Sequence, residues 1–295
     1  MLWRLPLPGP LRPFFELHTF LQMILRRNTF TKASLPHMAS KTLISAAIAS
    51  TLGGGVHAAL FNPEGTASWD EALYIENSSG SASPTGISFS GGSTSEPVRF
   101  DFNKAVSIDL GQRGGTADDW SAYGVWVQNS VNGSALINFN SSLDITIRDV
   151  TSLGVGILSG TAWGFGGPNG QDNGTTVTLN GPVTLSISGT SVTGVVAGSH
   201  FNNNTNPGGK VVFNDEGDGS VNRIDVVSDW TQLPNEDRNS DWAVGLLAFD
   251  DGEMIVNRDT SVSLSVANFL TTYTGTAGKS DDFADIAAAV YVDNS

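Results

Sequence analysis

Short runs of alternating apolar and polar residues fill the chain from Val98 onward, and five of them stop on asparagine: Asn103, Asn140, Asn180, Asn214 and Asn257. The residue before each asparagine is apolar (Phe102, Phe139, Leu179, Phe213, Val256), and so is the residue three before it (Phe100, Ile137, Val177, Val211, Met254). Side chains two apart share one face of a strand, so each run predicts a β-strand with one dry face. A second alternating run follows each asparagine, at residues 106–110, 143–147, 183–187, 224–227 and 262–266. The link between the two is two residues long in the first three cases, and longer after Asn214 and Asn257. A third run sets glycine among apolar residues, at 123–127, 155–158, 193–196 and 244–247, with a last copy at 289–292.

The repeating unit is therefore three short strands in 34 to 43 residues, measured between successive asparagines. Internal repeats of that length indicate a stacked architecture in which each unit buries its apolar face against the next. The expected fold is all-β: a solenoid of parallel strands, three to a coil and about five coils, with Ser, Thr, Asp and Asn facing water. A β-sandwich is the competing arrangement, because periodicity in one sequence does not reveal which strands pair. Asparagine suits the corner for two reasons. It tolerates the left-handed backbone of a sharp turn, which costs most residues about 1–2 kcal/mol. Stacked amides can also hydrogen-bond from coil to coil. Residues 59–97 fit the pattern poorly and read as a cap or irregular first coil, with residues 98–295 forming the regular body. The last run ends just before Ser295, which would leave an uncapped edge, so the sequence is expected to be truncated or partial.

Composition narrows the chemistry. There is no cysteine, which excludes a disulfide scaffold, a thiolate metal site and a cysteine nucleophile. Glycine is abundant at 34 residues and only 15% of residues are charged, as turn-rich β proteins require. Charge is divided unevenly. Residues 1–58 hold six basic residues and one acidic, Glu16, whereas the remainder holds nine basic against 28 acidic, a difference of −19. Nucleic acid and anionic membrane surfaces would repel that body, so neither is an expected partner.

The first 58 residues read as an address. Lys41 precedes a run of apolar and small residues at 43–52, then Gly53-Gly54-Gly55, then Val56-His57-Ala58. A positive flank, a short apolar run and small residues at −3 and −1 make a secretory signal with cleavage after Ala58. The run is too short for a membrane span, which needs about 20 apolar residues. The Pro-rich opening (Pro6, Pro8, Pro10, Pro13) suggests that residues 1–22 precede the true start, with Met23 or Met38 as the initiator; an extended signal is the alternative. Arg26-Arg27 is a faint match to a twin-arginine signal.

Taken together, the signal segment, the absence of cysteine and the strand-Asn-strand coils of residues 41–295 resemble the passenger region of bacterial autotransporters. The resemblance implies a right-handed parallel β-helix, export across the inner membrane, and display at the cell surface or release. Adhesion, aggregation or virulence roles go with it, toward a host-surface or matrix ligand, a glycan or another copy. It also implies an outer-membrane translocator barrel, which has no counterpart in this chain.

Candidate chemistry is sparse, and no cofactor or metal is expected. The carboxylate pairs Asp118-Asp119, Asp250-Asp251 and Asp281-Asp282 would suit polysaccharide hydrolysis or lysis, but no basic cluster accompanies them and solvated loop acids are the simpler account. Residues 214–219 (Asn-Asp-Glu-Gly-Asp-Gly) resemble a calcium loop without its flanking helices, and residues 166–172 are a single near miss to a Gly/Asp calcium repeat. His200 is the one histidine beyond the signal segment and sits in a polar loop, which argues against serine-protease chemistry. Asn132-Gly133-Ser134 and Asn173-Gly174-Thr175 match glycosylation sequons but read as turns. Trp69, Trp120 and Trp242 each precede a glycine-bearing run. They are expected to pack over coil corners, with stacking on a sugar ring as the functional alternative.

Overall fold

The computed structural model describes residues 59–60, 66–76, 84–90, 98–111, 121–128, 135–160, 174–198, 209–229, 242–249, 252–267 and 286–293. Among them every element is a β-strand, and every strand pairing is parallel.

The asparagine-terminated runs form one six-stranded sheet: β2 (Thr66–Trp69), β5 (Val98–Phe102), β8 (Ala135–Phe139), β10 (Thr176–Leu179), β12 (Lys210–Phe213) and β15 (Glu253–Val256), in that spatial order. Each strand lies beside its counterpart from the next repeat, so Phe102 pairs with Phe139, Leu179 with Phe213, and Phe213 with Val256. This rank-on-rank register excludes the antiparallel sandwich and matches stacked parallel sheets, as in a β-helix.

The other two strand types share the second sheet. One series is β3 (Leu73–Glu76), β6 (Val106–Gly111), the start of β9 (Leu143–Gly160), the start of β11 (Val183–Gly198), β13 (Asn222–Asp229) and β16 (Thr260–Ala267). The glycine-bearing series is β1 (Ala59–Leu60), β4 (Thr85–Ser90), β7 (Ala122–Gln128), the ends of β9 and β11, β14 (Trp242–Phe249) and β17 (Ile286–Asp293). In β9 and β11 the chain passes from one series to the other without leaving the sheet. The bend falls at Asp149, a non-glycine residue with φ of 60°, and the β9–β11 register shifts between Ile187 and Gly189.

Inward side chains from all three series meet in one core. Phe89, Phe100, Phe102, Ile108, Phe139, Ile145, Leu185, Phe213 and Ile224 are all buried there. Aromatic rings stack from rank to rank: Phe102 and Phe139 lie 4.8 Å apart and nearly parallel, at 7°. A column of glycines allows the close approach. A Cβ on Gly86 would stand 2.6 Å from the carbonyl oxygen of Gly124, and one on Gly124 would stand 2.5 Å from that of Gly156. Gly156, Gly194 and Gly245 continue the column, ending on the carbonyl of Ala289.

Three expectations change. The strands β2, β3 and β4 form a rank in register with β5, β6 and β7, although the sequence pattern reads there as an irregular first coil. The strand after Asn214 starts at Asn222, two residues before the alternating run. Finally, β14 and the ends of β9 and β11 are apolar on both faces. Val155, Leu158, Val196, Val244 and Leu247 point away from the main core yet are fully buried in a second cluster, so water does not reach the outward face of these middle strands.

Candidate functional site

The asparagine corners form a ladder. Asn140 donates from Nδ2 to Asn103 Oδ1 at 2.7 Å, Asn180 donates likewise to Asn140 at 2.7 Å, and Asn214 to Asn180 at 2.8 Å. The ladder begins one rank earlier than the sequence pattern shows, because Asn103 donates to Asp70 Oδ1 at 2.6 Å. Backbone bonds repeat alongside it: the amides of Asn103, Asn140, Asn180, Asn214 and Asn257 each donate to the carbonyl of the preceding rank's last strand residue. Asn257 thus keeps the corner's backbone geometry. Asp70 escaped the pattern because its strand, Thr66-Ala67-Ser68-Trp69, has a small inward residue where the others carry Phe, Ile, Val or Met.

The long link after Asn214 is held by a residue the sequence reading did not single out. Arg258 has a buried side chain, 1% exposed. Its Nε donates to the carbonyl of Asn214 at 3.0 Å, and one terminal nitrogen donates to the carbonyl of Asn180 at 2.7 Å. The other bonds Asp218 Oδ1 at 2.7 Å and also meets Ser220 Oγ. One planar guanidinium therefore ties the link to two ranks, which its fork of donors permits. Hydrogen bonds from the Ser220 hydroxyl and amide, and then the Arg258 charge, hold the Asp218 carboxyl below its usual range. The oxygen that a calcium loop would offer at Asp218 is thus already taken by protein donors. Among the described residues no group of three or more His, Asp or Glu side chains is placed to hold a metal ion.

The tryptophans are placed by packing. Trp69 ends β2, paired with Phe102 rather than preceding a glycine-bearing strand, and is partly buried against the main core. Trp242 is the first residue of β14 and only 3% exposed, with Phe249 and Tyr291 meeting it edge-on. A ring so enclosed has no face to offer a sugar. Trp120 lies outside the described residues, as do Ala58, His200, the three Asp pairs and the sequon asparagines.

An aromatic ring does reach solvent on the outward face of β3, β6 and β9. Tyr74 is 57% exposed, and its hydroxyl lies 3.5 Å from Glu76 Oε2. Glu76 is in register with Asp109, and Gly111 with Arg148. The absent side chain at Gly111 leaves a shelf along which Arg148 reaches back to ion-pair with Asp109. That bond, the largest cause, raises the Arg148 pKa further and keeps it cationic. Three adjacent ranks therefore present a phenol ring, two carboxylates and a guanidinium on one flat surface. The combination offers acceptors, donors and an apolar platform together.

Protein-family models, curated proteins and solved structures give no match to this chain.

Proposed function

We propose that this chain is a right-handed parallel β-helix that serves as an exported, non-enzymatic scaffold of the autotransporter-passenger type, and that it binds a neutral glycan on the outward face of β3, β6 and β9. The observation that carries the binding reading is the exposed group of Tyr74, Glu76, Asp109 and Arg148 on consecutive ranks. Sugar hydroxyls both donate and accept, so carboxylates and a guanidinium side by side suit them. The CH face of a pyranose suits an exposed tyrosine ring. A net charge of −14 disfavours polyanions such as nucleic acid. The scaffold reading rests on parallel in-register pairing across all the described ranks, with one continuous core. Export rests on the 1–58 segment, and surface display would need a translocator barrel supplied by other sequence.

Titration of the full chain with neutral polysaccharides by calorimetry tests the site. Tyr74→Ala and Arg148→Ala should each weaken binding at least about tenfold, equivalent to about 1.4 kcal/mol. Binding that neither variant changes, or no binding to any glycan, would remove the proposal. The register of Glu76 with Asp109 also favours a second reading, a polysaccharide-active enzyme using that carboxylate pair. New reducing ends or unsaturated products on incubation would establish it and displace the non-enzymatic reading.

A further inference from the structure

One corner of the ladder joins asparagine to glycine. The residue after the corner asparagine is Lys104, Ser141, Asp215 or Arg258 elsewhere, but Gly181 follows Asn180. Close approach demands that glycine. A Cβ there would stand 2.3 Å from both the carbonyl carbon and the oxygen of Ser141, and 2.8 Å from the amide nitrogen of Ser142. The ladder demands the asparagine, whose Nδ2 donates to Asn140 Oδ1 at 2.7 Å and whose Oδ1 accepts from Asn214 at 2.8 Å. The fold therefore requires, one after the other, a side-chain amide and a backbone nitrogen that no following side chain shields.

We propose that Asn180 is a site of spontaneous deamidation, that the ladder gates the reaction, and that the product keeps an opened corner from closing again. The Gly181 nitrogen gives its proton to water and attacks Asn180 Cγ. A C–N bond forms, the Cγ–Nδ2 bond breaks, and Nδ2 takes up a proton and leaves as ammonia. Water then opens the cyclic imide that remains. Addition at Cγ leaves aspartate at position 180. Addition at the main-chain carbonyl leaves isoaspartate, with the chain routed through Cγ. Water is the sole co-reactant, and no oxidation or reduction occurs.

Ring closure needs Cγ to swing onto the Gly181 nitrogen. In the folded chain the two ends of the Asn180 side-chain amide are tied to opposite neighbours. Its backbone is tied as well: the amide donates to the carbonyl of Phe139 at 2.8 Å, and the carbonyl accepts from Arg258 at 2.7 Å. The closed ladder opposes the rotation, and an opened one permits it. Loss of ammonia makes the change one-way. An aspartate has no Nδ2, so it sets an acceptor against Asn140 Oδ1. Isoaspartate adds a methylene to the main chain just after β10, which moves the corner out of step with the ranks on either side.

Peptide mass mapping of the full chain, held in mildly alkaline buffer with and without denaturing urea, tests this. In urea Asn180 should convert as fast as Asn132, which a glycine also follows. Without urea it should convert at least about tenfold more slowly, since two ladder bonds must open first. Asn140→Ala frees Nδ2 and should raise the rate in buffer about fivefold. Chains converted in urea should stay sensitive to limited proteolysis after dilution, while unconverted chains regain protection. Equal wild-type rates with and without urea would overturn the gate, a comparison that needs no variant to fold; so would an unchanged rate in folded Asn140→Ala. No conversion in urea would overturn the site. Converted chains regaining protection as unconverted ones do would overturn the block on closing.

Discussion

At Asn140, one side chain both donates to Asn103 and accepts from Asn180. Truncation to alanine removes both bonds at a corner that water still reaches, so a loss of about 1–2 kcal/mol is expected in denaturant unfolding. Asn140→Asp is the sharper test, being nearly the same size. It keeps the acceptor for Asn180 but sets a carboxylate against Asn103 Oδ1. It should destabilise at least as much as alanine, and a neutral effect would show that the ladder has no fixed polarity. Tyr123 tests burial in the same way. It stacks on Trp126 at 5.0 Å, and desolvation pushes its pKa from 10.0 up to about 12. The folded state therefore holds the phenol proton more tightly than the unfolded chain does. Its contribution is complete below about pH 10 and is lost as pH rises toward 12, amounting to about 2–3 kcal/mol for a shift of that size. Thermal melts across that window should fall more steeply for the wild type than for Tyr123→Phe, which has no proton to lose. The five asparagines were legible because each ends a run whose apolar side chains stand at the same offsets, one and three residues before it. Asp70 and Arg258 were not, because each does its work once, and neither a carboxylate at a corner nor a buried guanidinium leaves a period to detect.

At the scale of elements, the strands were legible where one face is dry and the other wet. β5, β8, β10 and β12 alternate in burial as they do in sequence. β14 and the ends of β9 and β11 lose that alternation, since Val155, Leu158, Val196, Val244 and Leu247 are buried on the outward side. Sequence identified them as apolar but could not say that both faces are covered. Their glycines are explained by closeness of approach. A Cβ on Gly194 would run into the carbonyl of Gly245 and stand 2.7 Å from Ile224 Cγ2, so two backbones and a facing strand compete for one space. Gly194→Ala should therefore cost about 3 kcal/mol or prevent folding, as overpacking of a tight core does. A urea midpoint matching the wild type would mean the ranks are not held so closely. The bend inside β9 falls on Asp149 rather than on an asparagine or glycine. That site resisted prediction because the sequence pattern treats residues 143–147 and 155–158 as separate strands.

For the whole molecule, the governing fact is that each strand pairs only with its counterparts in the ranks before and after it, although Arg258 reaches past one rank to the carbonyl of Asn180. Stability in such an array is a sum of local terms and neighbour terms, so it need not be uniform along the stack. The interior ranks hold fully buried side chains on both sides, as at Phe139, Leu179, Leu185 and Phe213. The β15–β17 rank instead leaves its apolar residues half covered or exposed, with Val256, Val290 and Val292 open to solvent. Among the described residues, the strands of that rank pair on one side only, while β9 and β11 have a neighbour on each. Opening of a terminal rank disrupts one interface, whereas opening of a central rank disrupts two. Hydrogen exchange under native conditions should therefore be slowest in β9 and β11 and quicken step by step toward β15, β16 and β17. The gradient should follow spatial rank rather than the local sequence of each strand, so β8 and β10 should protect alike despite their different residues. Uniform protection from β2 to β17, ending in one global opening, would mean that the ranks behave as a single cooperative block and that the nearest-neighbour account of this fold is mistaken.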